Sequence, residues 1–252
     1  MEVAFVGKGG AGKSSIAGTF ARLLASTGRP VLAIDSDPMP GLAFSLGIGS
    51  SDAGIPDEAV TAVEGDGGRR RFRLRKGLTA AEVVERYTVH GPDGVRFLQL
   101  GKARGPRWDN SRQHAAFQQV LDQLPGQGWS LVGDLPGGTR QPFQTWGRYA
   151  RTVLAVVEPT PASELTGRRL AGLSQTASEP RVGVVASKVR EPGDPERVSR
   201  NTGLRLLGAV PCDASLLRAD RAGLSIVDTD PDGPYVTAVR SLVQSMLAEE
   251  ES

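Results

Sequence analysis

The chain carries a single cysteine, Cys212, among 252 residues, and no stretch approaches the ~20 apolar residues that cross a bilayer. A lone thiol excludes an intrachain disulfide framework and a cysteine-rich metal site built within one chain, and it fits a reducing compartment. Pairing across a dimer stays open. Aromatic residues make up only 5%, and there are two histidines, His90 and His114. Charge of one sign is lacking too: 30 Lys and Arg face 28 Asp and Glu, a formal net charge of +2. So balanced a chain announces neither a nucleic acid nor a membrane as partner through bulk charge, and any such partner needs a local patch. The opening MEVAFV runs straight into glycines rather than into a signal-peptide core, and the sequence reads as cytoplasmic.

What is present is an aliphatic pattern. The short runs EVAFV, PVLAI, VRFLQL, WSLVGDL, TVLAVV, RVGVVAS and LRLLGAV are rich in β-branched residues, and several lack polar alternation. Strands buried on both faces of a parallel sheet read this way. Between the first two lies SSIAGTFARLLASTG, whose Ile16, Phe20, Leu23 and Leu24 share a helical face before Gly28 stops it, completing a βαβ unit. Helical spacing recurs from Tyr235 to Leu247. The expectation is an α/β fold, a doubly wound and mostly parallel sheet flanked by helices, in one domain over residues 1–252. Residues 47–77, rich in Gly, Asp and Arg, read as an insertion or mobile loop.

The segment GKGGAGKS, Gly7 to Ser14, fits G-x-x-x-x-G-K-[ST] and stands between a predicted strand and a predicted helix, where a P-loop belongs. The glycines allow backbone N–H groups to turn inward on phosphates, Lys13 reaches the β and γ phosphates, and Ser14 can ligate Mg²⁺. Gly7, Lys8, Gly9, Gly10, Ala11, Gly12, Lys13, Ser14 and Ser15 are accordingly the expected nucleotide-binding loop. Downstream, VLAIDSDP ends the second strand with Asp35 and Asp37, and SLVGDLPGG delivers Asp134 before Pro136, Gly137 and Gly138. Carboxylates at strand ends stand where open α/β sheets bind ligands.

The extra lysine, Lys8, makes the loop K-G-G-x-G-K-[ST], which resembles the deviant Walker A motif of MinD/ParA-like ATPases of the P-loop class. The resemblance implies Mg²⁺ and ATP as cofactors and an ATP-dependent homodimer in which Lys8 reaches the partner's nucleotide. It implies Lys13 and Lys8 as catalytic cations, Asp37 as the residue orienting the attacking water, and Ser14, Asp35 and Asp134 as Mg²⁺ ligands, the carboxylates through water. Asp134 and Gly137 fall in the family's Walker B and switch II segment. The blocks DPMPGLAFSLGI, YTVHGPDGVRFLQLGK, VVEPTPAS, ASKVR and LLGAVPCDASLLRADRAG are similar to the CooC-type subgroup, which serves nickel insertion into carbon monoxide dehydrogenase. Relatives commonly have Asn-Lys where this chain has Ser187 and Lys188; these two, with Pro211 and Asp213, are the base-side contacts the resemblance implies. The subgroup's C-x-C metal pair is missing: residues 105–109 read GPRWD. No thiolate nickel or zinc site is expected.

The reading is thus a slowly hydrolysing ATPase switch acting on a protein client. A DNA- or scaffold-bound positioning ATPase and a non-hydrolysing nucleotide-binding protein are its alternatives. The run RRRFRLRK over residues 69–76 fits phosphate contacts or an acidic partner, or simply a solvated edge. Trp108, Trp129 and Trp146 read as core or interface aromatics, and Cys212 as a small buried residue.

Overall fold

The computed structural model describes residues 1–37, 41–51, 54–64, 70–101, 111–144, 146–175 and 180–251. All seven strands expected from the aliphatic runs form: β1 (Glu2–Gly7), β2 (Val31–Asp35), β6 (Arg96–Gln99), β7 (Ser130–Asp134), β8 (Thr152–Val157), β9 (Arg181–Val189) and β10 (Arg205–Pro211). With the two-residue β5 (Val89–His90) they build one sheet in the order β10-β9-β8-β1-β7-β2-β6-β5. Every pairing is parallel except β5 with β6. This is the doubly wound α/β architecture.

Alternation along the strands divides the apolar side chains between two cores. Val3 and Phe5 of β1 join Ile16 and Phe20 of α1 (Lys13–Ala25) and Val239 and Leu242 of α9 (Pro234–Glu251). Ala4 and Val6 turn the other way, with residues of α3 (Ala80–Tyr87), α4 (Ser111–Gln123), α5 (Pro161–Ser174) and α6 (Asp194–Thr202). Because both faces of the sheet are covered, its central strands tolerate almost no polar residue except at their ends. The polar exceptions Asp35 and Asp134 sit at those ends.

The segment expected as an insertion or loop holds regular structure. After a 3-10 turn (Asp57–Ala59), β3 (Val60–Glu64) and β4 (Arg70–Leu74) form an antiparallel hairpin separate from the main sheet. Its packing surface is α4, where Gln119 Oε1 accepts from the Leu74 N–H at 2.8 Å and Arg112 donates to the Val60 carbonyl at 3.0 Å. The short helices α2 (Leu42–Ser45), α7 (Ala214–Ala222) and α8 (Ile226–Thr229) complete the fold around α1. Among the described residues, no helix is long and apolar enough to cross a membrane.

One expectation fails outright. Cys212 is exposed, not buried. It follows the last residue of β10, and although its N–H donates to the Val189 carbonyl at 2.9 Å, the chain is already leaving the sheet for α7. Its apolar neighbours in sequence belong to the strand; the cysteine itself does not.

Candidate functional site

The site is built where β1, β2 and β7 end side by side. Asp35 and Asp134 are register partners in adjacent strands, so two carboxylates emerge together beside the loop that follows β1. That loop must bend sharply between strand and helix. Gly10 and Gly12 have φ of 82° and 92°, a region that side chains disfavour, and Gly12 is the residue from which α1 starts. The start of the loop is equally constrained: a Cβ on Gly7 would stand 2.3 Å from the Val156 carbonyl oxygen of β8.

Helix α1 opens with Lys13 and Ser14, and its first turn contains no acidic residue. Lys13 is only 8% exposed, whereas Lys8 is exposed and stands outside the described ion pairs. The two lysines of one loop thus occupy opposite environments. The Ser14 hydroxyl donates to Asp134 Oδ2, tying the helix start to the end of β7. The other oxygen, Asp134 Oδ1, is buried and has no hydrogen-bond partner among the described residues. An unsatisfied carboxylate oxygen in a buried site is costly unless a proton or a cation answers it.

The electrostatics agree. Burial, and secondarily the charge of Asp35, pushes the Asp134 carboxyl up to about 7, against the Ser14 hydrogen bond and the Lys13 charge. Asp35 is fully buried, and desolvation raises it to about 6 although the backbone N–H groups of Asp37, Leu42 and Gly41 favour its ionised form. Those N–H groups lie 3.0, 3.1 and 3.2 Å from its oxygens. Asp35 thereby holds residues 37, 41 and 42, and a Cβ on Gly41 would touch Ser14 Oγ at 3.4 Å. Asp37 is half-buried, and its charge is felt at both Asp35 and Asp134.

Gly137 sits against the loop from the far side, within 4 Å of the Gly9 N and Gly7 O as measured from a Cβ position. Behind it Tyr149 packs on Gly133, and burial together with the Asp134 charge raises its phenol. Trp146 meets the edge of His114 at 5.1 Å and Phe117 at 5.8 Å, both on α4, while Trp129 packs partly buried against the same core.

Ser187 and Lys188 are brought to the P-loop in a manner the sequence did not foretell. The Ser187 hydroxyl donates to the Ala11 carbonyl at 2.8 Å, and Lys188 Nζ donates to the Gly10 carbonyl at 2.7 Å. Lys188 also pairs with Glu158 at 3.1 Å and holds φ at 55°, a conformation uncommon for a side-chain-bearing residue. The end of β9 therefore clamps the Gly10 and Ala11 carbonyls, while the Ala11 N–H donates within the loop to the Lys8 carbonyl at 3.1 Å. Asp213 caps α7 by accepting from the Ser215 N–H at 2.7 Å, and Pro211 closes β10. Ser15 is half-buried and lines a small cavity with Thr19, Phe44 and Leu224. Pro38 and residues 105–109, Trp108 among them, lie outside the described residues.

Such a cradle suits a phosphate chain with a cation. Among the described residues no three His, Cys, Asp or Glu side chains converge on one point, so a cation here would take most of its ligands from phosphate and water. Comparison with known proteins agrees with this geometry. Over 244 residues, 92% of this chain and 91% of its counterpart, the sequence is 28% identical to the carbon monoxide dehydrogenase accessory protein CooC of Rhodospirillum rubrum. It is 27% identical over 262 residues to the iron-sulfur cluster carrier protein of Deinococcus radiodurans, covering 96% of this chain and 67% of that one. The fold superposes on the septum site-determining protein MinD of Pyrococcus horikoshii OT3, solved with Mg-ADP, with a TM-score of 0.75 at 18% identity, covering 99% and 98% of the two chains. Residues 3–235 match the family described as the CobQ/CobB/MinD/ParA nucleotide binding domain, and the chain belongs to that family.

Proposed function

We propose that this chain is a Mg²⁺–ATP-dependent switch that closes into a face-to-face homodimer, hydrolyses ATP slowly and acts on a protein client. The observation that carries the reading is the buried carboxylate of Asp134, held by Ser14 through one oxygen and, among the described residues, unsatisfied at the other. Asp134 and Ser14, with Asp35 behind them, are the residues that would hold Mg²⁺, which when bound withdraws charge from the β and γ phosphates.

The chain's own groups divide the remaining work. Lys13, buried at the helix start, neutralises the phosphates, and backbone N–H groups of the loop and of the first turn of α1 bind them, that of Ala11 excepted because it donates to the Lys8 carbonyl at 3.1 Å. Asp37, half-buried between the loop and solvent, orients the attacking water and accepts its proton. Lys8 lies on the outside of the same loop, where a second subunit places it against the partner's nucleotide. Gly137, beside the loop, lets the segment after β7 follow the γ-phosphate and passes its presence toward Trp146 and α4. Pro211 and Asp213 lie at the base side of the nucleotide. Ser187 and Lys188 support the loop. With Cys212 as the chain's one thiol, the client is not served through the four-thiolate site of CooC-type carriers.

The test is phosphate release measured together with sedimentation. The parent chain is expected to release phosphate from Mg²⁺–ATP and to form an ATP-dependent dimer, and Asp37→Ala to keep ATP, lose turnover and stay dimeric. Absent phosphate release by the parent, with ATP still bound, would leave a nucleotide-binding protein and no ATPase. Unchanged turnover in Asp37→Ala would remove Asp37 from the mechanism.

A further inference from the structure

We propose that the outward face of the β3–β4 hairpin is a docking surface for an extended acidic segment of a partner protein. Strand β4 alternates its side chains: Phe72 and Leu74 turn toward α4, Phe72 lying under the Arg112 guanidinium at 5.5 Å. Arg71, Arg73 and Arg75 therefore share the opposite face, about 7 Å apart from one to the next. Directly across from Arg73 stands Thr61, not a carboxylate.

Among the described residues, the side chains of Arg73, Arg75 and Lys76 enter no ion pair. By contrast, Arg86 and Arg96 on the neighbouring α3 and β6 are matched by Glu82 and Glu85 at 3.2 and 2.9 Å. Like charges collected on one short strand repel each other, and nothing in the core requires them. A partner of opposite sign relieves that cost.

Two features favour a protein over a nucleic acid. The only aromatic ring of the described hairpin, Phe72, lies on the buried side, so the basic face offers no platform on which bases could stack. In addition, among the described residues β3 and β4 pair only with each other, so each strand keeps an edge with backbone donors and acceptors beyond the Leu74 N–H and the Val60 carbonyl, which α4 takes. An extended peptide satisfies such an edge, and its alternate carboxylates repeat at the same ~7 Å as the arginines. The hairpin also rests on the helix whose His114 touches Trp146, so docking takes place one helix away from the segment that follows Asp134.

The test is fluorescence anisotropy of a labelled oligoglutamate peptide with the full chain at low salt and no nucleotide, which keeps the result separate from the ATPase reading. Parallel titrations use oligothymidine and a mixed-sequence DNA duplex. The parent is expected to bind the peptide more tightly than either DNA. Arg73→Glu/Arg75→Glu should weaken the peptide by about tenfold or more, roughly 1.4 kcal/mol for the pair. Arg168→Glu/Arg169→Glu, an exposed pair on α5, should match the parent, and unchanged ATP affinity in both variants shows intact folds. Equal peptide affinity in the two charge-reversed variants would overturn the proposal, as would tighter binding of either DNA through Arg73 and Arg75.

Discussion

The carboxyl edge of β1, β2 and β7 and the β3–β4 hairpin handle charge in opposite ways. Lys13 at the helix start and Asp35 and Asp134 at the strand ends are all but removed from water; three backbone N–H groups hold Asp35, and Ser14 holds one oxygen of Asp134 while the other has no partner among the described residues. On the hairpin the arginines lie in solvent above a packed apolar face. Burying charge is tolerable only where desolvation is offset by close partners, so the first region is specified atom by atom. The second needs only the right sign and a strand's alternation. The buried region should therefore be sensitive to single-atom changes and to pH, and the exposed one to net charge and salt.

Four changes sharpen that contrast. The largest effect is expected for Lys13→Ala, which removes the buried ammonium facing the phosphates. ATP binding should weaken by about 100-fold or more, the loss of ~3 kcal/mol of charge-assisted contact; isothermal titration with normal affinity would refute the phosphate-binding assignment.

Next comes the pH dependence of the metal-free protein. Asp35 and Asp134 have folded pKa values raised to about 6 and about 7, above the ordinary carboxylate value of 3.8. The folded state then binds more protons than the unfolded one across that window. Stability contributed by these groups is present below the unfolded value and is lost as pH rises through the folded values. Melting temperature without Mg²⁺ should fall by on the order of 5 °C between pH 5 and pH 8. Asp134→Asn should flatten that slope, and added Mg²⁺ should stabilise the parent more at pH 8 than at pH 5; an unchanged slope in Asp134→Asn would show that this carboxylate is not responsible.

The clamp on the loop is expected to contribute less. Lys188→Ala removes the contacts to Gly10 and Glu158 and should weaken ATP binding by about tenfold. Lys188→Gly loses the same contacts but relaxes the left-handed backbone, so it should be more stable to urea than Lys188→Ala by about 1 kcal/mol. Reversal of that order would place no strain at Lys188. Smallest of all, Arg112→Ala should loosen the hairpin by ~1 kcal/mol or less and leave ATP affinity alone. Hydrogen exchange should show the change at β3 and β4 first.

Legibility in the sequence follows the same division. Seven strands were readable because burial on both faces demands uninterrupted aliphatic runs, and the P-loop was readable because its glycines, Lys13 and Ser14 are contiguous. The hairpin was not, since RRFRL carries only two apolar residues and becomes a strand by packing Phe72 and Leu74 on α4, a helix far along the chain. The two-residue β5 is too short to leave a pattern. Cys212 misled because an apolar neighbourhood in sequence is not one in space.

By itself, then, the sequence determined the sheet, the loop that holds phosphates and the order of the three acidic positions, since each depends on residues adjacent in the chain or on a local period. Tertiary structure alone decided that Asp35 and Asp134 stand side by side, that Ser187 and Lys188 grip the loop's carbonyls, and that Lys13 is buried while Lys8 is not. Those facts depend on which strands neighbour one another and on how much water remains between them, and no local stretch of chain encodes either.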